Sequence, residues 1–576
     1  MVGFPRSLAP LALAAAWLAA APAACSSAEP PAPIDGPRDG DVVPPASEAG
    51  APDAPPDAAP QGLRFGTCPG AYSGVCAAVD MPLDAASPSG KTVSVLLNKI
   101  VTSPRPTAQL WVLQGGPGGT AADMAPLARD VADHLDGLEI YTLEHRGVGA
   151  SNRLGCPLAE RAAASSSDAG PDAGPRRVDE LACLDEVKAA YGADLQHYTT
   201  TNAARDLARA IELTRRPGLK VYVYGVSYGT AWAQRFLQVA PKHADAVVLD
   251  SLVVPGRQFL SMFTTQADPV GRKLAEVCKA DPSCAAALGP DPWATIVATK
   301  QKLDRGHCPE LGLTPRDREA FTLFMRVHAL QAYAFAAWVR LDRCAPDDVT
   351  ALRLLLSRKI FTSPNEGLSS DVLGSNIAFS ELWESPPPSQ ETLSQRYDDA
   401  VFPTAPPSAA LQAAWPKYAA DEHVGKLPDA QVPVLVMNGT FDTQTPIELS
   451  ETTKAHYSLP GRTFVTIPYA NHNVIAQSPL PASGDNPPEH CGMAIMTAFL
   501  KSPGAPVDTS CVAKVVPPSF TRPSPEVTYL LGTTALFSGA PVRGPGVPLV
   551  PVTVARARSL PRAPLQGAVW ASGEAR

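Results

Sequence analysis

Three short stretches of this chain carry the residue types of nucleophilic acyl transfer. The first is Gly225-Val-Ser227-Tyr-Gly229, a serine set between small residues. The second is Val434-Leu-Val-Met-Asn-Gly-Thr-Phe-Asp442, an apolar run entering a turn that ends in a carboxylate. The third is Thr463-Phe-Val-Thr-Ile-Pro-Tyr-Ala-Asn-His472, an apolar run followed by a histidine. A serine hydroxyl is a weak nucleophile until a base takes its proton, and that base needs a third group to orient it. Ser227, Asp442 and His472 supply these types in the order nucleophile, acid, base. Asp442 also reads as a helix N-cap before Thr445-Pro446, and Asp429 is a rival acid ahead of the strand. His490 is the other late histidine; beside Cys491 at the start of a helix, it reads as structural.

Acyl transfer also needs backbone N–H groups aimed at the negative charge that develops on the carbonyl oxygen. One donor is expected from Tyr228, the residue after the nucleophile. The second is expected from Leu113-Gln-Gly-Gly-Pro-Gly-Gly119, where glycines allow close backbone approach, through Gly116 or Gly115.

The elements that must position these groups follow from apolar periodicity. Thr92–Ile100, Gln109–Leu113, Leu138–Leu143, Leu219–Tyr224, Ala244–Leu249, Val432–Asn438 and Thr463–Ile467 are short apolar runs rich in β-branched or aromatic residues, which predicts strands. Ala122–Leu135, Thr201–Thr214, Thr230–Val239, Pro446–His456 and Pro488–Leu500 predict helices between them. Such alternation argues an α/β fold, a mostly parallel, doubly wound sheet with helices on both faces. Ser227 then falls on a strand-to-helix turn, as a nucleophile elbow requires. Between Val254 and Leu427 the alternation stops and helices dominate, as over Arg318–Arg343 and Asp347–Leu356, predicting one large helical cap inserted late in the sheet.

Several motifs resemble one family, the prolyl aminopeptidase and tripeptidyl aminopeptidase group of α/β-hydrolase serine peptidases. Leu113–Gly119 resembles its H-G-G-P-G, Glu144-His-Arg-Gly-Val-Gly-Ala-Ser151 its D-Q-R-G-x-G-x-S, and Gly225–Thr230 its G-x-S-Y-G-T. Cys156, Cys183, Thr199-Thr-Thr-Asn-Ala-Ala-Arg-Asp206, Asn438-Gly-Thr-x-Asp442-x-x-Thr-Pro446 and the late cysteines resemble the exported bacterial branch. Gln114 replaces the usual His, Glu144-His145 replaces Asp-Gln, and Asn471-His472-Asn473 replaces Gly-His-Gly. The resemblance covers most of Leu63–Cys511 and implies an α/β-hydrolase fold. It also implies a serine exopeptidase acting on peptide substrates with a free N-terminus, removing a short peptide or a proline. Such an enzyme needs a negative group for the substrate amine, and within Ser375-Asn-Ile-Ala-Phe-Ser-Glu381 the resemblance points to Glu381. Arg146 is expected to organise its loop, paired with Asp206. An esterase or lipase-like hydrolase would share the triad, and a non-catalytic binding lipoprotein would share the fold.

Composition bounds the rest. With 48 Lys+Arg against 56 Asp+Glu the formal charge is −8, which with no basic stripe argues against a nucleic-acid partner. No H-E-x-x-H or other convincing metal-ligand set is found, so neither metal nor cofactor is expected. Residues 1–25 read as an export signal: Arg6, the apolar run Leu8–Ala21, then Ala21-Pro-Ala-Ala-Cys25. Cleavage is expected after Ala23 or Ala24, or before a lipidated Cys25, although Pro22 stands where lipoprotein signals usually carry Leu. Of 11 cysteines, ten lie beyond Cys25, an even number suited to an oxidising compartment. Pairing sequence neighbours gives Cys68–Cys76, Cys156–Cys183, Cys278–Cys284, Cys308–Cys344 and Cys491–Cys511. This leaves Cys25 as a candidate lipid anchor of a cell-envelope or secreted protein. Residues 26–62, rich in Pro, Ala and Asp, read as a disordered tether. The expected organisation is then a hydrolase core over 63–253 and 429–515, a cap over 254–428, and a poorly ordered tail over 516–576.

Overall fold

Alternating apolar runs become a single nine-stranded sheet. A computed structural model describes residues 63–165, 178–358, 363–482, 488–522, 524–539 and 542. The expected signal, tether and last residues of the tail lie outside the described residues. The strands are β1 (Gly66–Thr67), β2 (Val75–Pro82), β3 (Thr92–Val101), β4 (Ala108–Leu113), β5 (Leu138–Leu143), β6 (Lys220–Val226), β7 (Ala246–Asp250), β8 (Val434–Gly439) and β9 (Arg462–Ile467). Their spatial order is β1-β2-β3-β5-β4-β6-β7-β8-β9. From β5 to β9 neighbours run parallel, while β1, β2 and β3 are joined antiparallel.

Strands β4, β5, β7 and β8 are buried along their whole length, as parallel strands covered on both faces must be. Successive side chains point to opposite faces. Trp111, Tyr141, Val223, Val247 and Val436 pack on one side with the helices Thr200–Thr214 and Tyr228–Val239. Leu110, Ile140, Tyr224, Val248 and Leu435 pack on the other with Ala125–His134 and Cys491–Lys501.

The insertion between β7 and β8 is helical, as expected, but it divides its burial. Helices from Ala267–Ala280 to Pro346–Ser357 build a core of their own around Phe321, Phe335, Trp338 and Phe402. Val372, Ile377, Phe379, Leu411 and Trp415 from its second half instead join the core against the sheet. The run Arg318–Arg343 is two helices, Glu319–Met325 and Gln331–Arg343, separated by a break containing a short 3-10 turn.

The tail expectation is corrected over its first part. Residues 516–539 include the helix Ser524–Leu531, and Phe520, Val527, Leu530, Leu536 and Phe537 are buried in the cap core. Buried Arg340 holds the segment, donating to the carbonyls of Ala535, Leu536 and Ser538. Val527, Leu530 and Leu531 keep a helical spacing over little more than one turn, while Phe520, Leu536 and Phe537 follow no period, so pattern alone does not reveal the burial of the segment.

Among the described residues five disulfides pair sequence neighbours: Cys68–Cys76, Cys156–Cys183, Cys278–Cys284, Cys308–Cys344 and Cys491–Cys511. The second ties Cys156, just ahead of the helix Pro157–Ser165, to Cys183 in the helix Glu180–Tyr191. Among the described residues no helix is long and apolar enough to cross a membrane.

Candidate active site

Ser227 sits between β6 and the helix Tyr228–Val239 with φ 57° and ψ −129°. A non-glycine residue there is strained and persists only where surroundings over-determine it. Here they do. Its N–H donates to the Asp250 carbonyl at 3.1 Å. Its carbonyl accepts the Thr230 N–H at 2.8 Å and the Thr230 hydroxyl at 2.6 Å. The glycines are required by contact: a Cβ on Gly225 would lie 2.2 Å from the Gly229 carbonyl oxygen, and one on Gly229 2.3 Å from that of Leu113.

Asp442 follows β8 and is 1% exposed. Its Oδ1 accepts the N–H groups of Gln444 and Thr445, both at 2.8 Å, and its Oδ2 accepts the Thr445 hydroxyl at 2.5 Å. Both oxygens face His472 Nδ1, at 3.0 and 2.9 Å. Burial pushes this carboxyl up, but the charge of His472 and the hydrogen bonds outweigh it and hold it below the usual carboxylate value. His472 follows β9 and is 1% exposed. With Asp442 fixing the proton on Nδ1, Nε2 presents a lone pair, and among the described residues this buried atom has no hydrogen-bond partner. That is the tautomer a general base needs.

Asp250, the last residue of β7, brings nucleophile and base to the same end of the sheet. While its carbonyl takes the Ser227 N–H, its carboxylate accepts the N–H groups of Val474 at 2.7 Å and Ile475 at 3.1 Å, just past His472. Ser251 Oγ accepts the Asn473 N–H at 2.8 Å.

The glycine loop lies against the serine. A Cβ on Gly115 would stand 2.8 Å from Ser227 Cβ. The Gly115 N–H, however, donates to Gln114 Oε1 at 2.7 Å, which removes Gly115 from the candidate oxyanion donors. Gly116 and Tyr228 remain; Tyr228 opens its helix, where N–H groups lack intrahelical acceptors. Gln114 braces the loop, its Nε2 donating to the Thr120 carbonyl at 3.3 Å. Glu144 clamps the loop's far end, accepting the Thr120 hydroxyl at 2.8 Å and the Ala121 N–H at 2.6 Å. His145, which burial pushes down to about 4, is neutral; its Nε2 lies 3.2 Å from the Tyr228 hydroxyl. Arg146 and Asp206 form the expected pair, buried and bidentate at 2.7 and 2.6 Å, and Arg146 also donates to the carbonyls of Pro82, Leu83 and His197.

Glu381 is placed otherwise than expected. It lines a crevice with Tyr228, Gln234 and Arg235, but its Oε2 is paired with Arg235 at 2.8 Å and its Oε1 accepts the Tyr418 hydroxyl at 2.6 Å. A carboxylate already neutralised by a guanidinium has little charge left for an ammonium, so the amine-anchor role is withdrawn. The rivals are elsewhere engaged: Asp429 is exposed beside Arg462 at 3.5 Å, and His490 Nδ1 accepts the Ser478 N–H at 3.2 Å. Among the described residues, Cys308, Glu310 and Cys344 have metal-like spacing, but their sulfurs form a disulfide and offer no thiolate.

A family profile described as alpha/beta hydrolase fold matches residues 110–274, from β4 through the elbow into the insertion. Two curated relatives named tripeptidyl aminopeptidase, from Streptomyces coelicolor and Streptomyces lividans, are each 28% identical over 199 residues. That alignment covers 32% of this chain and 36% of each relative, so the chain spans about a third of the relatives it matches. Among solved structures, a thermophilic esterase from Thermogutta terrifontis covers 69% of this chain and 91% of its own at 14% identity, with a TM-score of 0.27. With its mostly parallel sheet, its strand-to-helix serine and its matching profile, this chain has the α/β-hydrolase fold.

Proposed function

We propose that this protein is an exported serine exopeptidase that cleaves short peptides or proline from free peptide N-termini. The observation that carries the hydrolytic part is the Asp442–His472 pair, which leaves His472 Nε2 open as a base at the same sheet end as the Ser227 elbow. The relatives named tripeptidyl aminopeptidase support the peptide part.

In the proposed reaction Ser227 Oγ attacks the scissile carbonyl carbon as its proton passes to His472 Nε2. The carbonyl electrons move to an oxyanion held by the N–H groups of Gly116 and Tyr228. His472 then gives the proton to the leaving amine nitrogen, and the C–N bond breaks. Water, deprotonated by the same histidine, attacks the acyl carbon; the bond from that carbon to Ser227 Oγ breaks, and His472 returns the proton to Oγ, freeing the serine. Asp442 holds the imidazole in orientation and stabilises its charged form.

Five disulfides suit an oxidising compartment, and export is proposed on that basis, with Cys25 the candidate lipid anchor. The mass of the mature N-terminus tests it: acylated Cys25 supports the anchor, and an unmodified start near Ala24 or Cys25 refutes it.

The activity is tested with peptides bearing free or blocked N-termini beside acyl esters, with Ser227→Ala as control. Cleavage of free-amine peptides that is lost in Ser227→Ala is expected. Turnover of esters alone would make the protein an esterase, and no Ser227-dependent turnover would make it a binding protein.

A further inference from the structure

The break in the cap at Arg326–Leu330 lies against the loop that carries His472. Asn471 Nδ2 donates to the Met325 carbonyl at 2.9 Å, while its Oδ1 accepts the His472 N–H at 2.8 Å. Gln477 Nε2 donates to the His472 carbonyl at 2.5 Å and to that of Arg326 at 3.4 Å, while its Oε1 accepts the His328 N–H at 2.8 Å. The two residues also meet directly, Asn471 N–H to Gln477 carbonyl at 3.1 Å. Each backbone polar group of His472 is therefore held by a side-chain amide whose other end is held by cap backbone.

Both amides are buried, Asn471 0% and Gln477 5% exposed. A buried amide that loses its partners is costly, which makes this bridge stiff rather than incidental. The cap end is itself anchored, since His328 Nε2 lies 3.1 Å from the Val516 carbonyl in the segment that continues from Cys511 into the cap core. The catalytic loop is thus mounted on two bodies. Asp250 and Ser251 hold residues 473–475 from the sheet, and the cap holds residues 471 and 472.

We propose that Asn471 and Gln477 are positioning residues that make the cap turn 325–328 part of the mounting of the general base. Activation of Ser227 then depends on the cap turn occupying this place. The proposal rests on the serine-hydrolase reading above. It accounts for the asparagine before the histidine, where the family motif has glycine: glycine has no side chain to reach Met325.

The test reads base competence without knowledge of the substrate. A phosphonofluoridate labels a serine only as fast as its base activates it, so the second-order labelling rate of Ser227 is measured beside peptide turnover. Gln477→Met removes both ends of one bridge without adding charge. His328→Pro removes only the N–H that Gln477 accepts together with the imidazole. Val327 already has the extended backbone (φ −123°, ψ 119°) that a following proline requires. His328→Leu loses the imidazole alone, so the ratio of the two His328 variants reads the backbone bridge.

Gln477→Met and His328→Pro are expected to label about 10- to 100-fold more slowly than wild type and His328→Leu respectively, the scale of an approximately 1 Å misplacement. Peptide turnover should be lost in kcat with KM held. If Gln477→Met fails to fold, the His328 pair decides. Folded Gln477→Met labelling at the wild-type rate, or equal rates in the two His328 variants, overturns the proposal. Wild-type protein that is not labelled at Ser227 would instead overturn the serine-hydrolase reading, and this proposal with it.

Discussion

Asp442 meets His472 Nδ1 with both carboxylate oxygens, at 3.0 and 2.9 Å, while Thr445 and Gln444 fill the remaining lone pairs of the same carboxylate. Every interaction made by Asp442 thus favours its ionised form and a proton on Nδ1. Asp442→Asn keeps the shape but offers an amide N–H to Nδ1, which selects the opposite tautomer and puts a proton on Nε2. The expected loss is about 10⁴-fold in kcat with KM little changed. Steady-state kinetics on any turned-over substrate checks it; a loss below tenfold would mean that Asp442 only caps its turn.

Gly115 gives a second prediction, because its role differs from the one its motif suggests. Its N–H is spent on Gln114, yet a Cβ there would come 2.8 Å from Ser227 Cβ and 3.2 Å from the Val226 carbonyl oxygen. Gly115→Ala must push the loop away from the serine and carry the Gly116 N–H with it. A displaced oxyanion donor costs on the order of 10²–10³ in kcat. The same variant should keep its unfolding transition, and wild-type kcat in Gly115→Ala would show that the loop yields without harm.

How much of this was legible in sequence depends on the kind of signal. Strand β5 was read at its observed limits, Leu138–Leu143, since a buried parallel strand is a continuous apolar run between breakers. Strand β2 was missed: Val-Cys-Ala-Ala-Val-Asp-Met-Pro is built largely of small residues and carries no strong strand signature. Ser227, Asp442 and His472 were legible because each stands at a strand end in chain order. Asp250 and Gln477 were not, because their work is done by partners 224 residues away or in another lobe. The break at 326–330 is an instructive case. Apolar periodicity runs across it, whereas the carbonyls left open there, of Met325 and Arg326, are taken by the side-chain amides of Asn471, Gln331 and Gln477. The charge of Glu381 was legible, but its neutralisation by Arg235 was not.

Glu144 makes stability depend on pH. Burial pushes its carboxyl up, against the hydrogen bonds from Thr120, Ala121 and Tyr72, from the ordinary 4.5 to about 7. For an acid raised in the folded state, the fold prefers the protonated form. Its contribution is therefore full below about 4.5 and is lost as pH rises through about 7. The difference amounts to about 3 kcal/mol, at about 1.4 kcal/mol per unit. Glu144→Gln removes this group's share. Denaturant unfolding at pH 5 and pH 8 should show the variant gaining on wild type by up to about that amount at the higher pH. A variant-minus-wild-type difference that is flat with pH would mean that Glu144 is ionised throughout.

The Arg235–Glu381 pair separates packing from recognition. The two side chains are 7% and 5% exposed, and removing one partner of a buried pair leaves the other charge uncompensated, at about 3–5 kcal/mol. Asp421, 3.7 Å from Arg235 on its other side, supplies some compensation, so Glu381→Gln is expected at about 3 kcal/mol, the low end of that range. The glutamine retains an oxygen for the Tyr418 hydroxyl, which keeps the geometry. Because the charge serves Arg235 and not a substrate amine, the variant should show the same KM for free-amine peptides as wild type while unfolding earlier in denaturant. A rise in KM for free-amine peptides that is absent for blocked ones would return Glu381 to the substrate site. It would also require Arg235 to release it on binding, which Arg235→Met would then mimic by strengthening the affinity for the free amine.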